Sequence, residues 1–184
     1  MPNHCTNQLI IRSKDKELLK KLHAKATIDE PAGDLLDFLV PLPNGEWDYD
    51  WCVNNWGTKW DIYDVSYEDL LDGELHLGFC TAWSPPVEAL QTGAERLGFT
   101  FELYYHEGGM MFAGMATNET DDCYAYTFER PPCEEIPEHI LNEFDYLERD
   151  YDDYVMDAED SELTDDQKEY RKMLREDVKE YAHG

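Results

Sequence analysis

Basic residues are scarce in this chain. Its 184 residues hold 15 lysines and arginines against 42 aspartates and glutamates, which gives a formal net charge of −27 at pH 7. A charge of this size repels nucleic acid and anionic membranes, and it speeds encounter with basic partners. The shortage of cations therefore argues against direct binding of nucleic acid or of a membrane surface, and it favours a basic partner.

Long apolar runs are also missing. No stretch approaches the roughly 18 apolar residues of a membrane span, and the opening MPNHCTNQLIIRSKDK lacks the apolar run of a secretory signal. The cysteines are odd in number and scattered, which is typical of reduced thiols in a cytosol. We therefore expect a soluble protein in the cytoplasm. The cysteines are Cys5, Cys52, Cys80, Cys123 and Cys133.

Motifs that carry chemistry are absent as well. No glycine-rich nucleotide loop occurs, because the glycines of HEGGM follow a strand without opening a helix. No histidine is placed beside Cys52 to activate it as a nucleophile. The sequence thus predicts no metal, no cofactor and no catalytic residue, although a pocket joining Cys52, His76 or His106 to a carboxylate would support an enzyme. Three pairs lack metal-ligand spacing: His4 with Cys5, His76 with Cys80, and His106 with Glu107.

What is present is an alternation of strands and helices. The pattern predicts a first helix capped by Ser13, and a second capped by Ser84 that begins with two prolines and ends at Leu97 before Gly98. Residues 27–72 form an insertion with short helical pieces that can hide a further strand. The predicted strands are residues 7–13, 74–82 and 99–107, with one or two more within 111–129.

This order predicts an α+β fold. We expect an antiparallel ferredoxin-like sheet with two helices on one face, in a domain over residues 1–130 that includes the insertion. Residues 131–184 then form an acidic C-terminal helical hairpin. Its first helix is predicted from Pro137 to Ala158, with Ile140, Leu141, Phe144, Leu147, Tyr151 and Val155 on its apolar stripe. Its second helix begins with a Thr164/Gln167 capping box and carries Tyr170, Met173, Leu174, Val178 and Tyr181.

Four separated strings carry a family resemblance: MPNHCTNQLII, WCVNNWGTKW, TAWSPP and YYHEGGMMFAG. In this order they resemble the YubB-type ferredoxin-like domain family of phages and conjugative plasmids, over about residues 1–118. The resemblance implies a ferredoxin-like fold and an origin in a mobile element. The family has no assigned activity, so no catalytic residue is carried across, and the acidic segment is an addition to its usual domain.

The stretch WDYDWCVNNWGTKWDIYD, residues 47–64, concentrates four tryptophans. One interpretation is a packing device that holds the insertion on the sheet, since each aromatic side chain buries roughly 150–250 Å². The alternative is a pocket with aromatic walls and a few polar groups for a small ligand or a peptide. The pocket residues would be Trp51, Asn54, Asn55, Trp56, Lys59 and Trp60.

Acid density is the feature that stands highest above background. A helix from Pro137 to Ala158 would be about 33 Å long and would carry eight acidic residues, while a DNA strand presents a phosphate about every 3.4 Å. These acids can form an ordinary solvated helix face, or they can imitate a nucleic-acid backbone. Following the second interpretation, we predict a non-enzymatic interaction protein that mimics nucleic acid and blocks a basic, nucleic-acid-binding host protein, such as a CRISPR or restriction nuclease. The contact residues would be Glu138, Asp145, Glu148, Asp152, Asp153 and Asp157.

Overall fold

The computed structural model of the chain describes residues 3–27 and 34–181, and for residue 67 and residues 176–181 it describes the backbone alone. Six strands form one sheet. They are β1 (His4–Arg12), β2 (Tyr63–Leu71), β3 (Glu74–Ala82), β4 (Thr100–Glu107), β5 (Phe112–Thr117) and β6 (Asp121–Ala125). The helices are α1 (Lys16–Ala26), α2 (Leu35–Leu39), α3 (Tyr49–Trp56), α4 (Val87–Leu97), α5 (Pro132–Glu135), α6 (Glu138–Leu141), α7 (Tyr146–Asp157) and α8 (Asp165–Tyr181).

The sheet has the strand order β2-β3-β1-β4-β5-β6. The central strand β1 is antiparallel to both β3 and β4, and β3 is antiparallel to β2. Along the chain, β1, α1, β2, β3, α4 and β4 follow the strand-helix-strand-strand-helix-strand order of ferredoxin-like domains. The predicted α+β class with an antiparallel sheet is confirmed.

The chain divides into two compact units, Met1–Cys123 and Tyr124–Gly184. We refer to them as the first unit and the second unit. The division falls a few residues before the domain boundary that the sequence predicts after residue 130. The first unit thus holds nearly all of the sheet, and the second holds the acid-rich helices α5 to α8.

The core of the first unit is built on alternate strand residues. Leu9 of β1 lies opposite Leu77 of β3 and Leu103 of β4, and all three are buried. Buried leucines of α1 and α4, including Leu22 and Leu90, belong to the same hydrophobic cluster. Each such side chain contributes about 1.5–3 kcal/mol by leaving water. The period-two pattern of the strands therefore directs one set of side chains into a shared core.

Both predicted N-caps in the first unit are wrong. Helix α1 is capped by Asp15, whose carboxylate accepts from the N–H groups of Glu17 and Leu18, while the Ser13 hydroxyl accepts from the N–H of Asp15. Helix α4 begins only at Val87, after both prolines. The Ser84 hydroxyl instead donates to the carbonyl of Gly57. At α1 the carboxylate of Asp15, two residues after Ser13, takes the capping position. At α4 the Ser84 hydroxyl bonds to a distant carbonyl, so it does not cap the helix.

The insertion is more ordered than a loop. It contains α2, α3 and the nine-residue strand β2, so the expectation of short helices and a hidden strand is confirmed; residues 28–33 lie outside the described residues. Buried Asp61 fixes the start of α2 by accepting from the N–H groups of Leu36 and Asp37, both at 2.9 Å. Burial raises the pKa of Asp61 to about 7, although these donors act in the opposite direction.

The second unit differs from the predicted hairpin in one respect. The uninterrupted helix expected from Pro137 to Ala158 is wrong, because α6 ends at Leu141 and α7 begins at Tyr146. Asn142 and Asp145 stand at the break, and such residues favour turns and caps over helix interiors. The Thr164/Gln167 capping box is confirmed, with backbone-to-side-chain hydrogen bonds of 2.9 and 3.3 Å.

The apolar stripes of α7 and α8 meet within the second unit. Tyr151 and Val155 of α7 are buried with Leu163, and Tyr170 of α8 and Phe128 pack against them. The predicted stripe residues Val178 and Tyr181 lie outside the described side chains. Packing of α7 and α8 on each other therefore buries part of the two apolar stripes that the sequence predicts.

Candidate functional site

The four sequence strings that carry the family resemblance meet at one end of the sheet. His4 pairs with Ala82, Cys5 pairs with Glu107, and Tyr63 pairs with Cys80. We call this region, where β1 and β2 begin and β3 and β4 end, the motif end of the sheet. Antiparallel pairing thus joins strings that lie far apart in the sequence.

Hydrogen bonds tie the string WGTKW to the string TAWSPP. The buried hydroxyl of Thr58 donates to the carbonyl of Ala82 at 2.9 Å and accepts from its N–H at 3.1 Å. Gly57 ends α3 in the left-handed conformation, at φ 81°. A Cβ at this position would overlap the Glu88 carboxylate and lie 3.0 Å from the carbonyl oxygen of Pro85. The glycine is therefore required both by its backbone angle and by the close approach of these neighbours.

The opening string is tied to the sheet by a buried amide. Asn7 Nδ2 donates to the Cys5 carbonyl at 2.8 Å and to Thr81 Oγ1 at 2.9 Å, while Thr81 Oγ1 donates to the Ser84 carbonyl. Asn7 Oδ1 is buried and has no hydrogen-bond partner among the described residues. Burial also raises the pKa of the neighbouring Cys5 thiol. These contacts give the motif end a polar interior next to the hydrophobic core.

The string HEGGM forms a tight turn around a buried carboxylate. Glu107 accepts from the N–H groups of Gly109 at 2.9 Å and Met110 at 2.6 Å. A Cβ at Gly109 would overlap the side-chain amide of Asn3. The backbone carbonyl of Asn3 accepts from the N–H of Trp83 at 3.0 Å. Gly109 is therefore required by the close approach of Asn3 at this end of the sheet.

The tryptophans of residues 47–64 divide into a buried and an exposed set. Trp56 is 2% exposed, donates from Nε1 to the Val40 carbonyl at 2.8 Å, and lies edge-on to Trp51 with ring centroids 5.8 Å apart. Trp47 is 54% exposed. The buried set packs the insertion onto the core, as the packing interpretation expects.

The exposed aromatics gather around one cation. Lys59 Nζ lies 4.6 Å from the ring centroid of Trp60 and 5.0 Å from that of Trp83. Tyr49 lies edge-on to Trp83, with centroids 6.1 Å apart, and the two rings are 42% and 38% exposed. We call these four residues the aromatic shelf. The sequence analysis did not identify Trp83 as a surface residue. Its position in the string TAWSPP, directly after a strand and before two prolines, was the available signal that it lies in a turn.

The six residues predicted to line a pocket do not act together. Asn54 and Asn55 turn their side-chain amides back to the carbonyls of Asp50 and Trp51, at 2.7 and 2.8 Å. Trp51 and Trp56 pack inward. Only Lys59 and Trp60 belong to the aromatic shelf. A pocket walled by all six is therefore not formed among the described residues.

The six predicted contact acids lie in the second unit. Glu138, Asp145, Glu148, Asp153 and Asp157 are exposed, and half-buried Asp152 accepts from the Tyr170 hydroxyl at 2.7 Å. Within the described part of the chain, none of the six forms an ion pair. Glu138, Asp145 and Glu148 line a depression of about 460 Å³ with Cys133, Leu141 and Asn142.

Comparison with known proteins bears on the second half of the first unit and the first residues of the second. Residues 55–131 match the family model described as a ferredoxin-like domain in Api92-like protein. Over this segment the chain is similar to that domain, and the predicted ferredoxin-like domain is confirmed. No curated protein and no solved structure matches the chain. The more specific YubB-type resemblance over residues 1–118 stays a prediction.

Among the described residues, no helix combines the length and the apolar character needed to cross a bilayer.

Proposed function

We propose that the chain is a non-enzymatic interaction protein of a phage or another mobile element. Its second unit binds a basic, nucleic-acid-binding host protein in the bacterial cytoplasm and occupies the surface that normally holds phosphates. A CRISPR effector or a restriction nuclease is the proposed target class. The observation that supports this most strongly is the set of six carboxylates on α6, on α7 and at the N-cap of α7, five of them exposed and none paired with a cation among the described residues.

Charge density singles out the second unit. It carries 20 acidic and 7 basic residues in 61 positions, a net charge of −13, whereas the first unit carries −14 over 123 positions. The negative charge per residue is thus about twice as high in the second unit. A concentrated negative surface attracts basic proteins over longer distances than scattered acids do.

The periodicity of α7 arranges its acids in rows. Leu147, Tyr151 and Val155 form the buried stripe. At 3.6 residues per turn, the acids fall into two rows around the remaining surface, with neighbours about 5–6 Å apart. Measured along the helix axis, the six acids from Asp145 to Asp157 span about 18 Å, or about one acid every 3.6 Å, which is close to the 3.4 Å rise between phosphates of one strand. The rows are Asp145, Glu148 and Asp152 beside the buried stripe, and Asp150, Asp153 and Asp157 further round the helix.

A cleavage assay tests the proposal. The full chain is added to a restriction nuclease and to a CRISPR nuclease, and the cleavage of a DNA duplex is measured at low and at high salt. We expect slower cleavage at low salt, recovery with excess competitor DNA, and loss of inhibition as salt screens surface charges beyond about 8 Å. Inhibition that persists unchanged at high salt would contradict charge mimicry, as would the absence of inhibition in both assays.

Charge-neutralised variants locate the surface. We expect Glu138→Gln/Asp145→Asn/Glu148→Gln to weaken inhibition about tenfold, since three exposed pairs contribute about 0.5 kcal/mol each. The control variant Glu46→Gln/Glu95→Gln/Glu119→Gln removes three exposed acids of the first unit. Equal loss in both variants would mean that only net charge matters, and the second unit would not be the binding surface.

The aromatic shelf supports a second candidate function, a module that binds a small ligand or a peptide. A lysine between two partly exposed tryptophans offers both stacking surface and a positive charge. Native mass spectrometry of the purified full chain tests this, with Lys59→Met as the variant and exposed Lys14→Met as the control. We expect a bound small molecule that the Lys59 variant alone loses. The absence of any adduct in the wild-type protein would contradict this function.

A further inference from the structure

Three side chains able to ligate a metal converge at the motif end of the sheet. His4, Asp64 and Cys80 each offer one ligand atom, and these atoms all lie within 4.8 Å of one another. The three residues belong to β1, β2 and β3, which are neighbours in the sheet. Their separation in the sequence hides the cluster, because metal-ligand spacing is recognisable only when ligands share a turn or a short loop.

An irregularity in β2 brings Asp64 into the cluster. The register of β2 against β3 shifts between Tyr63 and Tyr67, and Asp64 has a φ of +50°. Aspartate is one of the few residues other than glycine that enter this region regularly. A bulge of this kind redirects a side chain and is found next to functional sites. The irregular pairing of β2 at this point therefore places the Asp64 carboxylate beside His4 and Cys80.

A second layer of contacts orients the histidine. The Tyr63 hydroxyl lies 2.9 Å from His4 Nδ1 and donates to the carbonyl of Thr81 at 3.3 Å. In the tautomer that carries its proton on Nδ1, His4 donates to the hydroxyl, and Nε2 is then free to bind a metal. Metal-ligating histidines almost always donate their other N–H in this way.

We propose that His4, Asp64 and Cys80 form a binding site for a divalent transition metal of the zinc class. One nitrogen, one oxygen and one sulfur ligand suit zinc or cobalt, whereas calcium and magnesium select oxygen ligands. Three protein ligands leave the fourth tetrahedral position to water. This site is independent of the acidic surface of the second unit and does not rest on the proposed function.

Binding requires a small contraction and the loss of a proton. Tetrahedral bonds of about 2.0–2.3 Å place ligand atoms about 3.3–3.8 Å apart, so the exposed side chains of His4 and Asp64 must close in. The thiol proton passes to solvent when the metal binds the thiolate. Affinity is therefore expected to fall as pH is lowered.

Titration of the reduced full chain with cobalt(II) chloride tests the site. We expect one equivalent of cobalt to produce a near-ultraviolet thiolate-to-cobalt charge-transfer band, which cobalt bound to surface carboxylates does not produce. Cys80→Ser should abolish the band, and zinc(II) should displace the cobalt. Asp64→Gly keeps the backbone free to adopt a positive φ and removes the carboxylate, and it should weaken binding at least tenfold.

The matched control is Cys123→Ser/Cys133→Ser, which removes the two exposed thiols. This variant should keep the band and the affinity of the wild-type protein. Tyr63→Phe removes the partner of His4 and should weaken binding about tenfold. Circular dichroism verifies the fold of each variant. The proposal is overturned if wild-type protein gives no band, if Cys80→Ser or Asp64→Gly binds as wild type, or if the control loses the band.

Discussion

The two ends of the sheet in the first unit are held together by different interactions. At the motif end, buried side chains hydrogen-bond to another strand: Asn7 donates to the hydroxyl of Thr81, and Thr58 bonds to the backbone of Ala82. At the opposite end, Arg12 forms ion pairs with Glu74 at 2.8 Å and Glu102 at 2.7 Å, all about a third exposed. A depression of about 700 Å³ at that end is lined by Arg12, Ser13, Lys14, Asp15, Gly73, Gly98, Phe99 and Thr100.

The difference shows which residue identities the fold restricts. A buried hydrogen bond between a side chain and the backbone leaves an unsatisfied group when the side chain is removed, at a cost of about 1–3 kcal/mol. An exposed ion pair contributes at most about 1 kcal/mol because solvent and salt screen it. Substitutions at the motif end should therefore lower the free energy of unfolding more than matched substitutions at the opposite end.

The largest difference is expected between two glycines that end helices. Gly57 and Gly98 both have positive φ, but a Cβ at Gly98 would meet open space. We expect Gly57→Ala to lower the free energy of unfolding by about 2–4 kcal/mol, from backbone strain and crowding together. Gly98→Ala should cost about 1 kcal/mol. Urea denaturation measures both, and Glu88→Ala should recover part of the Gly57 loss. Equal costs would refute the role of Pro85 and Glu88.

The next difference compares two threonines. We expect Thr58→Val to lower the free energy of unfolding by about 1–3 kcal/mol, because the buried N–H and carbonyl of Ala82 lose their partner. Thr100→Val, at an exposed strand position of the opposite end, should change it by less than about 0.5 kcal/mol. Chemical denaturation of both variants under the same conditions is the measurement. A neutral Thr58→Val would show that another group satisfies Ala82.

A smaller effect is expected for the ion pairs of Arg12. Arg12→Met removes both pairs while keeping a long side chain, and it should cost less than about 1 kcal/mol. The difference from wild type should shrink further in 1 M salt, where the Debye length is about 3 Å. Denaturation at low and high salt tests this. A large cost that salt does not reduce would place Arg12 among the packed residues.

The smallest effect concerns Glu74 and pH. Hydrogen bonds from His76 and Arg12 lower the pKa of Glu74 below its ordinary value of 4.5. Its carboxylate therefore stabilises the fold above the unfolded pKa, and this contribution is lost as pH falls through the lower folded value. Glu74→Gln should lower the melting temperature slightly at pH 7 and by less near pH 3. A difference that grows on acidification would have the wrong sign.

Local patterns were sufficient for much of the first unit. The alternation in ELHLGFCTA predicts β3 with the bounds found, 74–82, because one side of that strand is buried. The end of α4 at Leu97 follows from Gly98. The helix starts were less predictable, since Ser13 and Asp15 both fit a cap and only their geometry decides between them.

Features that depend on contacts between distant residues could not be predicted. The string WGTKW contains no signal that Thr58 bonds to Ala82. The cluster of His4, Asp64 and Cys80 depends on the order of the strands and on the bulge in β2, which local sequence patterns do not predict. Tryptophan composition likewise does not distinguish buried Trp56 from exposed Trp47. The acids of the second unit were visible in the sequence, but the break between α6 and α7 was not.

The position of β1 has a consequence for how the matched family segment is understood. Residues 55–131 contain β3 and β4, yet neither strand borders the other, because β1 separates them and lies outside the segment. Excised alone, the segment would leave two inner strand edges open, and such edges recruit other chains and promote aggregation. The unit that folds is thus larger than the unit that sequence comparison detects.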